Sequence, residues 1–169
     1  MTTPLVLSFL PQTKPCEIVV RASAGPREVF RTRFFCRTGH TLRPAAEALF
    51  CLGIYPASEI GAPLRIDGGV DPALLARADS ITGLYRRWWW GCRRIKVDAQ
   101  PPSAFPAHGK RGTALFFSGG VDSCFSLTEA QPRLTALITL LGVDVPLSDA
   151  VETERLEAPG SRCGSRQGA

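Results

Sequence analysis

Six consecutive residues, Ser118-Gly119-Gly120-Val121-Asp122-Ser123, carry the clearest chemistry in the chain. Two glycines allow a tight backbone turn, so that successive N–H groups can point at one anion. Two serine hydroxyls add donors. Asp122 does not suit a bare phosphate cradle. A carboxylate beside a polyphosphate is most naturally a Mg²⁺ ligand, because Mg²⁺ favours one or two carboxylates together with phosphate oxygens. The spacing is neither G-x-x-x-x-G-K-[ST] nor G-x-G-x-x-G. No residue of the segment reads as a nucleophile of its own. Cys124 follows the motif near an expected helix N-terminus, a position that lowers a thiol pKa, but burial on a helix face is the simpler reading of it.

The flanking residues supply a matching context. Thr113 to Phe117 (T-A-L-F-F) is a continuous apolar run of the kind a buried parallel strand shows. Cys124 to Ala130 reads as a helix, Pro132 breaks it, and Leu134 to Leu141 gives a second buried strand. Strand, glycine turn, helix and strand make a βαβ unit, which demands a parallel sheet. In such sheets ligands bind beyond the carboxyl ends of the strands, where a helix N-terminus adds partial positive charge. The string F-F-S-G-G-V-D-S, Phe116 to Ser123, resembles the PP-loop of the ATP pyrophosphatases. That group includes the synthetase domains for asparagine, GMP, NAD and argininosuccinate, and enzymes of tRNA thiolation and 7-deazaguanine synthesis. Its members split ATP into AMP and pyrophosphate, and the AMP activates a substrate oxygen for attack by nitrogen or sulfur.

The resemblance implies an adenine nucleotide alpha hydrolase-like domain using ATP and Mg²⁺. Ser118, Gly119, Gly120, Val121 and Ser123 would surround the pyrophosphate portion, and Asp122 would help place Mg²⁺. The acceptor substrate is left open. The N-terminal half, with Gly142 to Leu147 (G-V-D-V-P-L), is also similar to uncharacterised bacterial proteins that join an N-terminal α+β region to a PP-loop domain.

A second cluster is Arg86-Arg87-Trp88-Trp89-Trp90-Gly91-Cys92-Arg93-Arg94. Three successive helical residues span about 200°, so three rings cannot all face one core. Two uses fit this patch. One is packing at a domain or subunit junction, giving an oligomer through the Trp-rich helix end. The other is stacking and charge neutralisation on a single strand of RNA, as a tRNA-modifying relative would need. Gly68-Gly69-Val70-Asp71 repeats the tetrapeptide G-G-V-D of the first motif but lacks its serines. Pro72 removes a backbone donor there, and the segment reads as a turn followed by a helix cap.

These residues need a scaffold. Cys16 to Ala24 and Glu28 to Arg37 read as two strands of a hairpin around A-G-P-R, with Phe30, Thr32 and Phe34 on one face. Leu42, Ala45, Ala46, Leu49 and Phe50 recur at helical spacing, with Pro44 suited to the first turn and Gly53 to the stop. Leu64 to Asp67 and Ile95 to Val97 are short strand candidates. Between them a helix is expected from Asp71-Pro72 to Gly91, with the apolar stripe Leu74, Leu75, Ala78, Ile81, Leu84, Tyr85 and Trp88. The expected class is α/β. It divides into an α+β region over 1–99, a Pro/Gly-rich linker over 100–112, and an incomplete parallel-sheet PP-loop domain over 113–157. A tail covers 158–169.

Composition bounds the rest. The chain has 169 residues, 44% hydrophobic and 21% charged, which excludes collagen, coiled coil and wholesale disorder. The longest uncharged run, Met1 to Thr13, is 13 residues, short of the ~20 that a membrane span needs. No basic residue opens it, and Pro11 closes its apolar stretch, so it does not read as a signal peptide. Arginine outnumbers lysine 17 to 3 at a net charge of +5. The six cysteines form no C-x-x-C pair, and neither His40 nor His108 stands at metal-ligand spacing. Free thiols in a reducing cytoplasm follow, without a membrane.

From Thr113 onward 57 residues remain, whereas a nucleotide-binding sheet needs four or five strand-plus-helix repeats of ~30 residues each. Ala150 to Leu156 starts another helix. The Gly-, Ser- and Arg-rich stretch beyond it has no large aliphatic or aromatic residue, which suits either a disordered tail or an out-of-frame reading of a GC-rich gene. The expectation taken here is a frameshifted product, truncated after its first βαβ unit, with weak or no catalysis alone and marginal stability.

Overall fold

Leu5 to Phe9 form strand β1, the middle strand of an N-terminal sheet, a role that no pattern within the segment announces. In the computed structural model the chain divides into two units, with the boundary between Pro106 and Ala107. The structure describes residues 2–102, 112–143 and 147–148. Most of the expected linker, the expected helix over 150–156 and the tail therefore lie outside the described residues.

After β1 come β2 (Glu17–Ala24) and β3 (Arg27–Phe35), the expected hairpin. Ala24 pairs with Arg27 across Gly25-Pro26, and Gly25 has φ of 59°. Glycine at the first central position is what a type II′ turn needs, because glycine takes a left-handed φ at no steric cost. Of the three residues expected to share a face, Phe30 and Thr32 are half-buried and Phe34 is exposed near the end of this edge strand. Helix α1 (Ala46–Ile60) follows, then β4 (Leu64–Gly69), a single turn α2 (Pro72–Leu75), α3 (Ala78–Trp88) and β5 (Val97–Gln100). The sheet order is β3-β2-β1-β4-β5. The pairs β1–β2 and β2–β3 are antiparallel, while β1–β4 and β4–β5 are parallel.

The core lies between one face of this sheet and α1. Leu5 and Leu7 of β1, Val20 and Ala22 of β2, and Leu64 and Ile66 of β4 alternate toward the helix and are buried. Helix α1 answers with Leu49, Phe50, Gly53, Ile54, Ala57 and Ser58, a stripe that follows the 3.6-residue period. Gly53, expected to end the helix, lies within it. The stripe continues past it, and the helix also runs through Pro56 to stop at Gly61, whose φ is 68°. There the Gly61 N–H reaches Ala57 O and Ser58 O, a left-handed cap.

The long helix expected from Asp71 to Gly91 is broken at Ala76–Arg77. Asp71 caps α2 as expected, its Oδ1 accepting from the Ala73 N–H at 2.7 Å. Within α3, Ala78 and Thr82 are buried, but Leu84 and Trp88 of the expected stripe are exposed.

The second unit holds β6 (Thr113–Phe116), α4 (Val121–Ala130), a 3₁₀ turn at Gln131–Arg133 and β7 (Leu134–Ile138). β6 and β7 pair in parallel, with Leu115 opposite Leu137, so this segment is a βαβ unit. Its strands were expected to be buried. Instead Phe116, Leu137 and Ile138 are exposed, because α4 is the one helix that packs on β6 among the described residues. The chain is thus of mixed α/β class, and no helix among its described residues is long and apolar enough to cross a membrane.

Candidate functional site

The segment Ser118–Ser123 leaves the end of β6 and enters α4. Gly119 has φ of 79°, a left-handed value that an L side chain resists. It turns the chain sharply. Gly120 then takes an extended conformation as the residue before the helix, and its carbonyl accepts the first helical bond, from the Cys124 N–H at 3.0 Å. The amides of Val121, Asp122 and Ser123 belong to the first turn, which has no intrahelical partners for them.

The side chains gather around this turn. The Ser118 and Ser123 hydroxyls lie 3.4 Å apart, and the Gly120 N–H approaches Ser118 Oγ at 3.4 Å. Both distances are too long for strong bonds, so these groups can turn to a better acceptor with little loss. Ser123 Oγ also donates to Gly120 O at 2.8 Å. Ser118, Gly119, Gly120, Val121 and Asp122 are all solvent-accessible, and Ser123 is half-buried. Cys124, expected to be buried, is exposed as well and directs its thiol at Gly119 O over 3.8 Å.

Asp122 lies in the first turn of α4. No group of three or more metal-ligating side chains occurs among the described residues. A lone carboxylate fits Mg²⁺ brought in with a polyphosphate, where phosphate oxygens and water complete the octahedron.

The Arg/Trp cluster is split by the end of α3. Trp88 is the last helical residue, Trp89 is extended, and Trp90 lies beyond. Trp89 packs edge-on against Tyr55 of α1 at 5.5 Å and against Trp88 at 5.7 Å, and tilts over Tyr85 at 5.7 Å. Such ring contacts add about 0.5–1.5 kcal/mol each to the burial. Partial desolvation here, with the Glu59 charge nearby, pushes the Tyr55 hydroxyl pKa up. Trp90 makes no ring contact among the described residues and is 100% exposed.

The arginines divide likewise. Arg94 pairs with Asp79 at 2.6 Å. The Arg93 backbone is clamped by Ser58, whose carbonyl accepts from the Arg93 N–H at 2.8 Å and whose Oγ donates to the Arg93 carbonyl at 2.6 Å. Arg86 and Arg87 make no ion pair among the described residues. Arg86 and Arg87 are both exposed.

Two arginines outside both clusters, Arg21 and Arg65, also stand out in the fold. Both sit at alternate positions of central strands, opposite the core-facing Val20, Ala22, Leu64 and Ile66. That period-two alternation is the signal by which the sequence could have revealed them. No family model, curated protein or solved structure matches the chain.

Proposed function

We propose that the chain binds Mg²⁺-ATP through Ser118–Ser123, as a protein of the PP-loop ATP pyrophosphatase type. The observation that carries this is the strand–glycine turn–helix geometry, with Gly119 at φ of 79° and two serine hydroxyls at the mouth of α4. Amides of the first helical turn and the hydroxyls of Ser118 and Ser123 hold the β- and γ-phosphates. Asp122 takes the Mg²⁺ that accompanies them. A metal held by Asp122 would supply charge neutralisation of the phosphates, and the part of Ser118–Ser123 is positioning and electrostatic stabilisation of the pyrophosphate portion.

Equilibrium dialysis with labelled ATP tests this directly. Asp122→Asn should weaken binding by about tenfold or more and remove its Mg²⁺ dependence, since a charged ligand to the ion is lost. Unchanged affinity with unchanged Mg²⁺ dependence would mean that the loop is an ordinary turn.

A second reading rests on Trp90, whose ring is wholly exposed and which follows the exposed Arg86 and Arg87 closely in sequence. An exposed indole among guanidiniums suits a single strand of RNA, with bases stacking and phosphates neutralised.

A further inference from the structure

The sheet of the first unit has a second face, and it is polar. Between β1, β2, β4 and β5 it forms an open groove of about 390 Å³. Arg21 stands directly opposite Ser8, and Arg65 directly opposite Val6 and Asp98, so Ser8 lies on the strand between the two arginines. Strands are ~4.8 Å apart, and two guanidiniums two strands apart can converge over the strand between them.

Three observations set this face apart from an ordinary solvated one. Arg21 and Arg65 make no salt bridge among the described residues: Asp98, the cross-strand neighbour of Arg65, does not pair with it, and Glu28, whose charge reaches Arg21, is bonded instead to Arg31, the cross-strand neighbour of Arg21. Ser8 is only 7% exposed, and its hydroxyl has no hydrogen-bond partner among the described residues. A buried hydroxyl without a partner is costly and is found where a ligand or water completes it. The groove itself is of small-molecule size.

We propose that this face binds a small phosphate monoester, with its phosphate between Arg21 and Arg65 and accepting from Ser8 Oγ. A planar carboxylate is satisfied by one bidentate guanidinium, whereas two guanidiniums set diagonally across β1, Arg21 level with Ser8 and Arg65 level with Val6, match a tetrahedral dianion in both shape and charge. Ser23, also in the groove, adds a donor on the β2 side. Asp67 and Asp98 line the β4–β5 side and, ionised, only accept hydrogen bonds. The remainder of the ligand therefore carries donors, hydroxyls above all. A hydroxylated phosphate monoester meets both ends of the groove.

Amide chemical-shift mapping of the full chain, at constant ionic strength, tests this with inorganic phosphate and with glycerol phosphate. Saturable shifts are expected at Ser8, Arg21, Ser23 and Arg65. Arg21→Ala or Arg65→Ala, both on exposed side chains, should weaken binding by about tenfold or more, and Ser8→Ala should weaken it with the far-ultraviolet spectrum unchanged. Glycerol phosphate should bind more tightly than inorganic phosphate, and Asp98→Asn should reduce that margin. The proposal is overturned if chloride reproduces the shifts, if an Arg21→Ala/Arg65→Ala double variant keeps them, or if they are confined to residues 118–123. It stands apart from the ATP reading, because the two sites report through different amides.

Discussion

At Cys36 the thiol lies 3.1 Å from the Thr38 hydroxyl, and backbone amides of His40, Thr38 and Gly39 add to the donors around it. Together they favour the thiolate, Thr38 most, and hold the Cys36 pKa below the usual thiol value. A lowered pKa raises the thiolate fraction at any pH beneath it, and the thiolate is the reactive form. Thr38→Val removes the leading donor, so its Cys36 should be alkylated several-fold more slowly at pH 7. The midpoint of rate against pH should move upward in the variant. Peptide mapping after iodoacetamide treatment reads this at Cys36 alone, separate from the exposed Cys51 and Cys124. Equal rates in both proteins would mean that Thr38 does not control the thiol. None of this is legible in the sequence, where Cys36 is one of six cysteines; a two-residue hydroxyl contact leaves no periodic trace. The S-G-G-V-D-S motif is legible for the opposite reason. Its chemistry rests on contiguous residues and on glycines that only a turn requires.

Helix α1 shows where local propensity yields to packing. Glycine lowers helix stability by about 1 kcal/mol relative to alanine, and proline disrupts a helix interior further, so Gly53 and Pro56 together suggest a stop. The structure keeps the helix because Leu49, Phe50, Ile54 and Ala57 bury on β1, β2 and β4 along its whole length. Gly53 permits that close approach. A β-carbon there would stand 2.7 Å from Leu64 Cδ1 and 3.0 Å from Leu7 Cδ2. Both leucines are fully buried and have little room to turn aside. Gly53→Ala therefore gains about 1 kcal/mol in propensity but meets an overpacking cost of about 1–3 kcal/mol. The net expectation is a loss of about 1 kcal/mol, read as a lower denaturant midpoint with the slope unchanged. A raised midpoint would show that the sheet can give way. The apolar stripe beyond Gly53 is present in the sequence, and following it to Ala57 rather than stopping at glycine finds the full helix. β1 is harder to see. Its short apolar run announces no partner of its own, and its place at the centre of a sheet depends on strands distant in sequence.

At the scale of the whole molecule, the dominant features are a net charge of +5 and large apolar side chains left at the surface of each unit. The division into an N-terminal α+β region and a later βαβ segment follows from composition and period, both additive along the chain. What lies over an exposed ring does not, because it depends on surfaces that meet only after folding. Helical geometry requires at least one ring of Trp88-Trp89-Trp90 outside the core without saying which; all three are outside it, and they differ. Trp89 is committed to Tyr55 and Tyr85, so its substitution would loosen α3 from α1 and confound a binding assay. Trp90 has no such role, which makes it the discriminating position. If the patch takes single-stranded RNA, Trp90→Ala should cost about 1–3 kcal/mol of affinity, the worth of one base stack. Arg86→Ala with Arg87→Ala should flatten the fall of log affinity with log salt by about 0.7 for each phosphate no longer neutralised. Fluorescence anisotropy of a labelled oligouridylate between low and moderate salt measures both. If wild type and Trp90→Ala bind alike, while sedimentation shows that Trp90→Ala dissociates an oligomer, the ring is a contact between copies. The arginines beside it would then serve solubility and not recognition.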